Sequence, residues 1–261
     1  MKLKLKTSPS ETVETQDELV KRIPQDSIAV NEIFYSIQGE GRHAGVPMVF
    51  VRLNVCHVGC KFCDTKYTWQ TISHNKFYDS NSLLEAIKKL SLRCPHVCIT
   101  GGEPLEQAEV LYKICKHLSA NRLKVHLETS GSMLIPKEFD EVCHWIVCSP
   151  KKFFPPNFEA PIDEVKVLVT ANQDLSKVRN FISKFRNKVW VSIQPIEPDP
   201  PVFGNPDGLT EPELIAYWDD VKEIRVREET IWLANRQKAL DICKSTGWML
   251  SPQMHKYFNI R

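Results

Sequence analysis

The sequence predicts an α/β fold, an incomplete (β/α) barrel with its active site at the C-terminal ends of the strands. Three observations lead there. From Asn31 onward, short apolar runs alternate with amphipathic stretches, as repeated βα units do. The runs are rich in β-branched residues and read as buried, as strands of a parallel sheet covered on both faces are. Nearly every run also ends in a small polar motif, namely CHVGCKFCDT, TGGEP, ETSG, SPKK and QPIE. The C-terminal edge of a parallel sheet is where such loops converge into a pocket.

In chain order, residues 1–28 are polar and without periodicity. They predict a flexible N-terminal extension with a short helix at Asp17–Arg22, ahead of a barrel domain over residues 29–261. Met48–Leu53 reads as a strand running into the first polar motif. Ser82 and Glu85 have the spacing of a capping box, opening a helix to about Leu90. His96–Thr100 is a buried strand, followed by a helix with Leu105, Ala108, Leu111, Tyr112, Cys115 and Leu118 on one face. Strands follow at Val125–Thr129, Trp145–Cys148 and Val165–Val169, then a helix carrying Leu175, Val178, Ile182 and Phe185. Val189–Gln194 is a strand, Glu197–Pro212 a long loop rich in Pro, Asp and Gly, Ile231–Lys244 a helix and Trp248–Ser251 a final strand.

Composition narrows the function. The 261 residues carry a formal charge of +2 and are 42% hydrophobic, an ordinary globular balance with no basic footprint for nucleic acid. No apolar run approaches the roughly 20 residues of a membrane span, and the N-terminus lacks the apolar core of a signal peptide. A soluble cytoplasmic protein is expected. Nine cysteines in a reducing compartment do not suggest disulfides. Cys94, Cys98, Cys115, Cys143, Cys148 and Cys243 are scattered through strands and helices and read as small core residues.

Cys56, Cys60 and Cys63 are different, because three thiolates fall within one short loop. A structural zinc site ordinarily has four protein ligands, and no fourth Cys or His repeats the spacing. His57 is awkwardly adjacent to Cys56 for a shared ion. Three thiolates suit a [4Fe–4S] cluster with one iron open to an outside ligand, with three-Cys zinc as the alternative. The paired glycines of Thr100-Gly101-Gly102-Glu103-Pro104 allow close backbone approach to a ligand or simply a tight βα turn.

The CxxxCxxC spacing, with Phe62 before its last cysteine, resembles the signature of the radical S-adenosylmethionine (SAM) superfamily, and TGGEP resembles its second motif. A narrower resemblance lies in Phe34–Gly41 (FYSIQGEG), Gly45-Val46-Pro47, Phe50–Leu53 (FVRL), Cys63–Trp69 (CDTKYTW) and the closing Gln253–Arg261 (QMHKYFNIR). These are similar to the 7-carboxy-7-deazaguanine synthases of queuosine biosynthesis, from about Asn31 to the C-terminus. Val55 departs from the Gly usual in that family before the first cysteine, and the first thirty residues have no counterpart.

The resemblance implies a radical SAM lyase that converts 6-carboxy-5,6,7,8-tetrahydropterin to 7-carboxy-7-deazaguanine with loss of ammonia. It implies a [4Fe–4S] cluster on Cys56, Cys60 and Cys63, and SAM near Phe62, Cys63, Asp64, Gly102, Ser149, Pro150, Lys151, Gln194 and Pro195. Mg²⁺ is implied at Thr65, although from the residues alone Thr65 reads better as a helix cap. Substrate binding is implied for Ile37, Gln38, Gly39, Arg52, Thr100 and Arg261. A bidentate guanidinium at Arg52 suits the pterin carboxylate, with a surface ion pair as the plainer alternative. Glu40, Glu128 and His255 are placed nearby without a settled role, and the C-terminal tail is expected to fold over the pocket. A small-molecule pterin, an electron donor such as flavodoxin or ferredoxin and a homodimeric state complete the implied partners. Two rivals remain: an activating enzyme acting on a partner protein, and a zinc-stabilised or electron-carrier module.

Overall fold

A computed structural model describes residues 16–68, 76–90, 93–151, 160–185, 188–197 and 209–260. Residues 1–15 of the expected extension, Trp69, most of the Glu197–Pro212 segment and Arg261 lie outside the described residues. The chain begins with helix α1 (Gln16–Arg22), then strands β1 (Ile28–Ile37), β2 (Pro47–Leu53) and β3 (Lys76–Tyr78). Helix α2 (Ser80–Leu90), β4 (His96–Gly101), a 3₁₀ turn (Pro104–Gln107), α3 (Ala108–Ala120) and β5 (Lys124–Thr129) follow. The remainder is α4 (Phe139–Val142), β6 (Trp145–Cys148), β7 (Glu164–Val169), α5 (Leu175–Ile182), β8 (Trp190–Pro195), α6 (Glu211–Thr246), β9 (Met249–Leu250) and α7 (Met254–Tyr257).

Nine strands form one sheet in the order β3-β1-β2-β4-β5-β6-β7-β8-β9. From β2 to β9 every pairing is parallel, as the alternation of strands and helices requires. The edge departs from that pattern, because β1 runs antiparallel to both β2 and β3. The cause is the connection: residues 38–46 join β1 to β2 directly, and a parallel crossover needs a dozen residues or more. Gly41 and Gly45 supply the positive φ of 68° and 90° at which this turn reverses.

In register, parallel neighbours point to the same side, which sorts the strand residues into two faces. Val97, Ile99, Leu127, Ile146, Val165, Val167 and Ile193 form one face and pack beneath the helices in the main core. Against them lie Leu83 and Ile87 of α2, Leu111, Ile114 and Leu118 of α3, and Ala239 and Ile242 of α6. The opposite, concave face carries Arg52, Cys98, Glu128, Lys166 and Gln194. The inner face thus combines these side chains with a small apolar cluster of Phe34, Met48, Phe50 and Cys98, while the outer face packs under the helices.

Three local readings change. Helix α2 opens two residues earlier than Ser82, because Asp79 is the cap: its Oδ1 accepts from Ser82 N at 2.8 Å and its own N donates to Ser82 Oγ at 3.0 Å. The capping box is therefore Asp79 with Ser82, not Ser82 with Glu85. Helix α6 starts at Glu211, twenty residues before the expected Ile231, capped by Thr210 and Glu213. It was unreadable by periodicity since Ile215, Trp218, Ile224 and Val226 are exposed and only Val221, Asn235, Ala239 and Ile242 are buried. Among the six scattered cysteines, Cys98, Cys115 and Cys148 are buried, whereas Cys94, Cys143 and Cys243 are half-buried.

Candidate active site

The C-terminal ends of the strands and the β1–β2 turn enclose a cavity of about 1030 Å³. Single-ligand pockets span roughly 300–1,000 Å³, so this one has room for more than one small group. Of the residues expected in the site, all described ones except Pro150 line this cavity. Pro150 only carries the chain between Ser149 and Lys151, which do.

The cysteine loop leaves β2 through Asn54 and Val55. It is clipped to the glycine turn by Gly102 N donating to Leu53 O at 2.9 Å and Glu103 N to Val55 O at 2.8 Å. Gly102 has no room for a side chain: a Cβ there would meet Val55 O at 1.9 Å and Cys56 Cβ at 3.2 Å. Gly101, at φ 120°, is equally close to Leu53. The glycine pair therefore fixes the floor on which Cys56 sits.

Cys56, Cys60 and Cys63 all face the cavity. Burial raises the Cys56 thiol above its ordinary value, while backbone amides of Val58 and Gly59 hydrogen-bond the sulfur and oppose that rise. Amide donors aimed at a cysteine sulfur are what a cluster ligand needs. Among the described residues, no three metal-ligating side chains gather round a single-ion point. His57 takes no part, as its Nδ1 is paired with Glu106.

Glu103, fully buried, stitches the glycine turn to the next strand end. Its carboxylate accepts from Thr129 Oγ1 at 2.6 Å, Ser130 N at 2.8 Å, Ser130 Oγ at 2.5 Å and Leu105 N at 3.2 Å. Four donors satisfy a charge that would otherwise be costly to bury. Thr65 precedes a 3₁₀ turn at Lys66–Thr68, the position of a cap, yet its hydroxyl lies 3.4 Å from Cys63 Sγ.

Deeper in the barrel the side chains form one connected network. Lys166 Nζ lies 2.5 Å from Glu40 Oε2 and 3.3 Å from Glu128 Oε2. Gln194 and Gln253 donate to Glu40 Oε1 at 3.1 and 2.9 Å, and Gln38 donates to Glu128 Oε1 at 2.9 Å. Burial by itself would raise the Glu40 pKa, but the Lys166 charge and hydrogen bond, with the Gln253 amide and His255, outweigh it and hold it at about 2. Lys151, close above, is lowered from its ordinary value by burial and by Lys166.

Arg52 forms an ion pair and also faces the cavity. Its Nε is 2.8 Å from Glu32 Oε1 across the β1–β2 pair, and its side chain still lines the cavity, with its guanidinium 5.6 Å from the Phe34 ring centre. Tyr67 donates to the same Glu32 oxygen at 3.0 Å, and burial pushes its phenol up to about 12. The C-terminal tail does fold over the site. Met254 N donates to Gly39 O at 3.0 Å, and a Cβ at Gly39 would meet His255 Nδ1 at 2.3 Å.

Lys166, Gln253 and the α6 residues Arg225, Glu228 and Trp232 line the cavity without having been singled out from sequence. Lys166 had a legible signal, a lone charge within an otherwise apolar strand (VKVLV). The α6 residues had none, because the helix carrying them showed no apolar face.

Residues 50–194 match the model of the radical SAM superfamily. The chain is 31% identical over 258 residues to the 7-carboxy-7-deazaguanine synthase of Buchnera aphidicola, covering 89% of this chain and 98% of that one. It is 31% identical to the Synechocystis enzyme of the same name, over 90% of this chain and 94% of that one. The Escherichia coli K12 enzyme of that name is 27% identical over 88% of this chain and 98% of its own. The crystal structure of QueE from Escherichia coli superposes with a TM-score of 0.64 at 24% identity, covering 88% of this chain and 96% of that one, and shares the fold.

Proposed function

Because the chain belongs to the radical SAM superfamily, and within it to the 7-carboxy-7-deazaguanine synthases, we propose that it converts 6-carboxy-5,6,7,8-tetrahydropterin to 7-carboxy-7-deazaguanine. One observation carries the reading to this site: the three-cysteine loop, the glycine turn and a hydrogen-bonding inner face line a single cavity. A cluster, SAM and a flat heterocycle need that adjacency.

Cys56, Cys60 and Cys63 would hold the [4Fe–4S] cluster. Phe62, Asp64, Gly102, Ser149, Lys151, Gln194 and Pro195 form the wall for SAM, which with the cluster supplies a 5′-deoxyadenosyl radical. Substrate less one ammonia is the product, so the conversion is redox-neutral and SAM can be a returning cofactor rather than a consumed one. Ile37, Gln38, Gly39 and Thr100 border the pterin, and Arg52, already oriented by Glu32, meets its carboxylate. His255 and the tail close the site against water that would quench a radical. Thr65 would hold Mg²⁺ only together with substrate oxygens, since one hydroxyl alone is a weak site for a hard cation. The reading extends to a flavodoxin- or ferredoxin-type electron donor, a homodimer and a cytoplasmic setting. No described helix is long and apolar enough to cross a membrane.

The test is anaerobic incubation of reconstituted protein with SAM, a reductant and the carboxy-tetrahydropterin. 7-Carboxy-7-deazaguanine with equimolar ammonia supports the reading. Unchanged pterin beside accumulating 5′-deoxyadenosine overturns it in favour of a different substrate, such as a partner protein.

A further inference from the structure

Lys166 is a buried cation in the middle of an apolar strand, and its two partners come from different sides of the barrel. Glu40 arrives from the β1–β2 turn and Glu128 from β5. Without an ammonium between them, two carboxylates in one buried site would share a proton, because like charges at such range cannot both ionise. The other charged and titratable groups around the trio are Glu164 on the same strand, Lys151, Cys98, His255, and Asp64 through Gln253.

Burial opposes the Lys166 charge, and the Glu128 and Glu40 carboxylates outweigh that opposition and raise its pKa. The amides of Gln38, Gln194 and Gln253 donate into the carboxylates as well. The cavity thus ends in two anions that act only as acceptors. A 2-amino-4-oxo heterocycle offers the complementary edge, an N3–H and a 2-amino N–H side by side. A 2-oxo analogue turns one of those donors into an acceptor aimed at a carboxylate.

We propose that Lys166 is a specificity-determining positioning residue: by holding Glu40 and Glu128 together and ionised, it makes the inner end of the cavity select a 2-amino heterocycle over its 2-oxo counterpart. The inference rests on the reading that this pocket takes a pterin, and it concerns which edge is read and what keeps the reader charged. Lys166 acts through the two carboxylates rather than on the reacting atoms.

The experiment is calorimetric titration of anaerobically reconstituted, SAM-bound enzyme with 7-carboxy-7-deazaguanine and with its 2-oxo analogue, from pH 6 to 9. A lost charge-assisted pair corresponds to roughly a tenfold change in affinity or more. Wild type should prefer the 2-amino ligand at least about tenfold, at a ratio flat across that range. Lys166→Met should cut the preference to below about threefold, and its affinity for the 2-amino ligand should fall as pH falls and the carboxylates take up a shared proton. Lys166→Arg, which keeps the charge, should restore the flat profile. A merely structural lysine would lower the melting temperature and leave ratio and pH profile unmoved, and that result overturns the proposal.

If Lys166→Met is not recovered folded, Lys166→Met/Glu40→Gln removes the repelling pair and carries the test. It should bind without pH dependence but with the preference reduced, and an unreduced preference overturns the proposal. Wild type that makes no product from the carboxy-tetrahydropterin defeats the functional reading itself. Wild type that does, with selectivity unchanged in the variants, defeats only the role of Lys166.

Discussion

Val55 stands immediately before the first cysteine with φ at 74°, a left-handed conformation that β-branched residues rarely adopt, while its side chain is only 2% exposed. Those facts oppose each other in a way that can be measured. Truncation to alanine removes two buried methyl-sized groups, about 1.6 kcal/mol at about 0.8 each. Going on to glycine removes about 0.8 more and adds about 0.5–1 of chain entropy, but it releases about 1–2 of left-handed strain. Glycine's two costs together and the strain release cancel. Val55→Gly should therefore unfold within about 0.5 kcal/mol of Val55→Ala. At Val51, fully buried within β2, no strain is released, and Gly should fall about 1.5 kcal/mol below Ala. The assay is denaturant unfolding followed by tryptophan fluorescence, anaerobically and at matched iron content. A Gly–Ala gap at Val55 as large as that at Val51 would refute the strain argument.

Four further expectations follow from the structure. Cys60→Ala should leave the fold intact but lose the iron–sulfur absorbance after reconstitution, whereas Cys115→Ser, in the helical core, should keep it. Arg52→Lys should raise the substrate KM by roughly tenfold or more, since an ammonium cannot make a two-pronged contact, while substrate-free SAM cleavage survives; an unchanged KM would leave Arg52 with only its Glu32 pair. Thr65→Ala should shift the Mg²⁺ titration of product formation to higher concentration and Thr65→Ser should restore it; superimposable curves with only a lowered melting temperature would make Thr65 a cap. His126, in edge-on or tilted ring contact with His43, His96 and His144 at the opposite end of the barrel, is held down to about 3, by burial first and then by its neighbours. The unfolded chain binds a proton below about pH 6.5 that the fold refuses, so stability present above that pH falls as pH drops. Between pH 7.5 and 5.5 His126 alone accounts for about 1.4 kcal/mol, and His126→Gln should lose that much less than wild type in urea midpoints at the two pH values.

The barrel was legible because its parallel strands are rich in β-branched residues and nearly all end in a polar cluster. The site was legible for the same reason, since Cys56, Gly102, Glu128, Ser149 and Gln194 all stand at or near strand ends. The antiparallel β1 was not, because strand direction depends on the length of the 38–46 turn rather than on any residue pattern in the strand. Half of α6 escaped because its exposed Ile, Trp and Val residues lack a buried stripe, so no helical period stood out. Arg52 was read from sequence as a pocket residue, but its Glu32 partner was not legible, because Glu32 reaches it only through the pairing of β1 with β2. Val55 shows a substitution readable in sequence whose meaning needed a dihedral angle: the site asks for glycine, and valine occupies it under strain.

The proposed reaction needs one cavity to set the adenosyl carbon against a single hydrogen of a pterin held at the barrel's inner face. It is tested most directly with carboxy-tetrahydropterin deuterated at C6, incubated anaerobically with limiting SAM and reductant, and followed by mass analysis of the recovered SAM and of the product. The account predicts 7-carboxy-7-deazaguanine in excess of the SAM supplied, with deuterium in the recovered SAM. Deuterated pterin returned intact, with SAM converted to unlabelled 5′-deoxyadenosine, would contradict it.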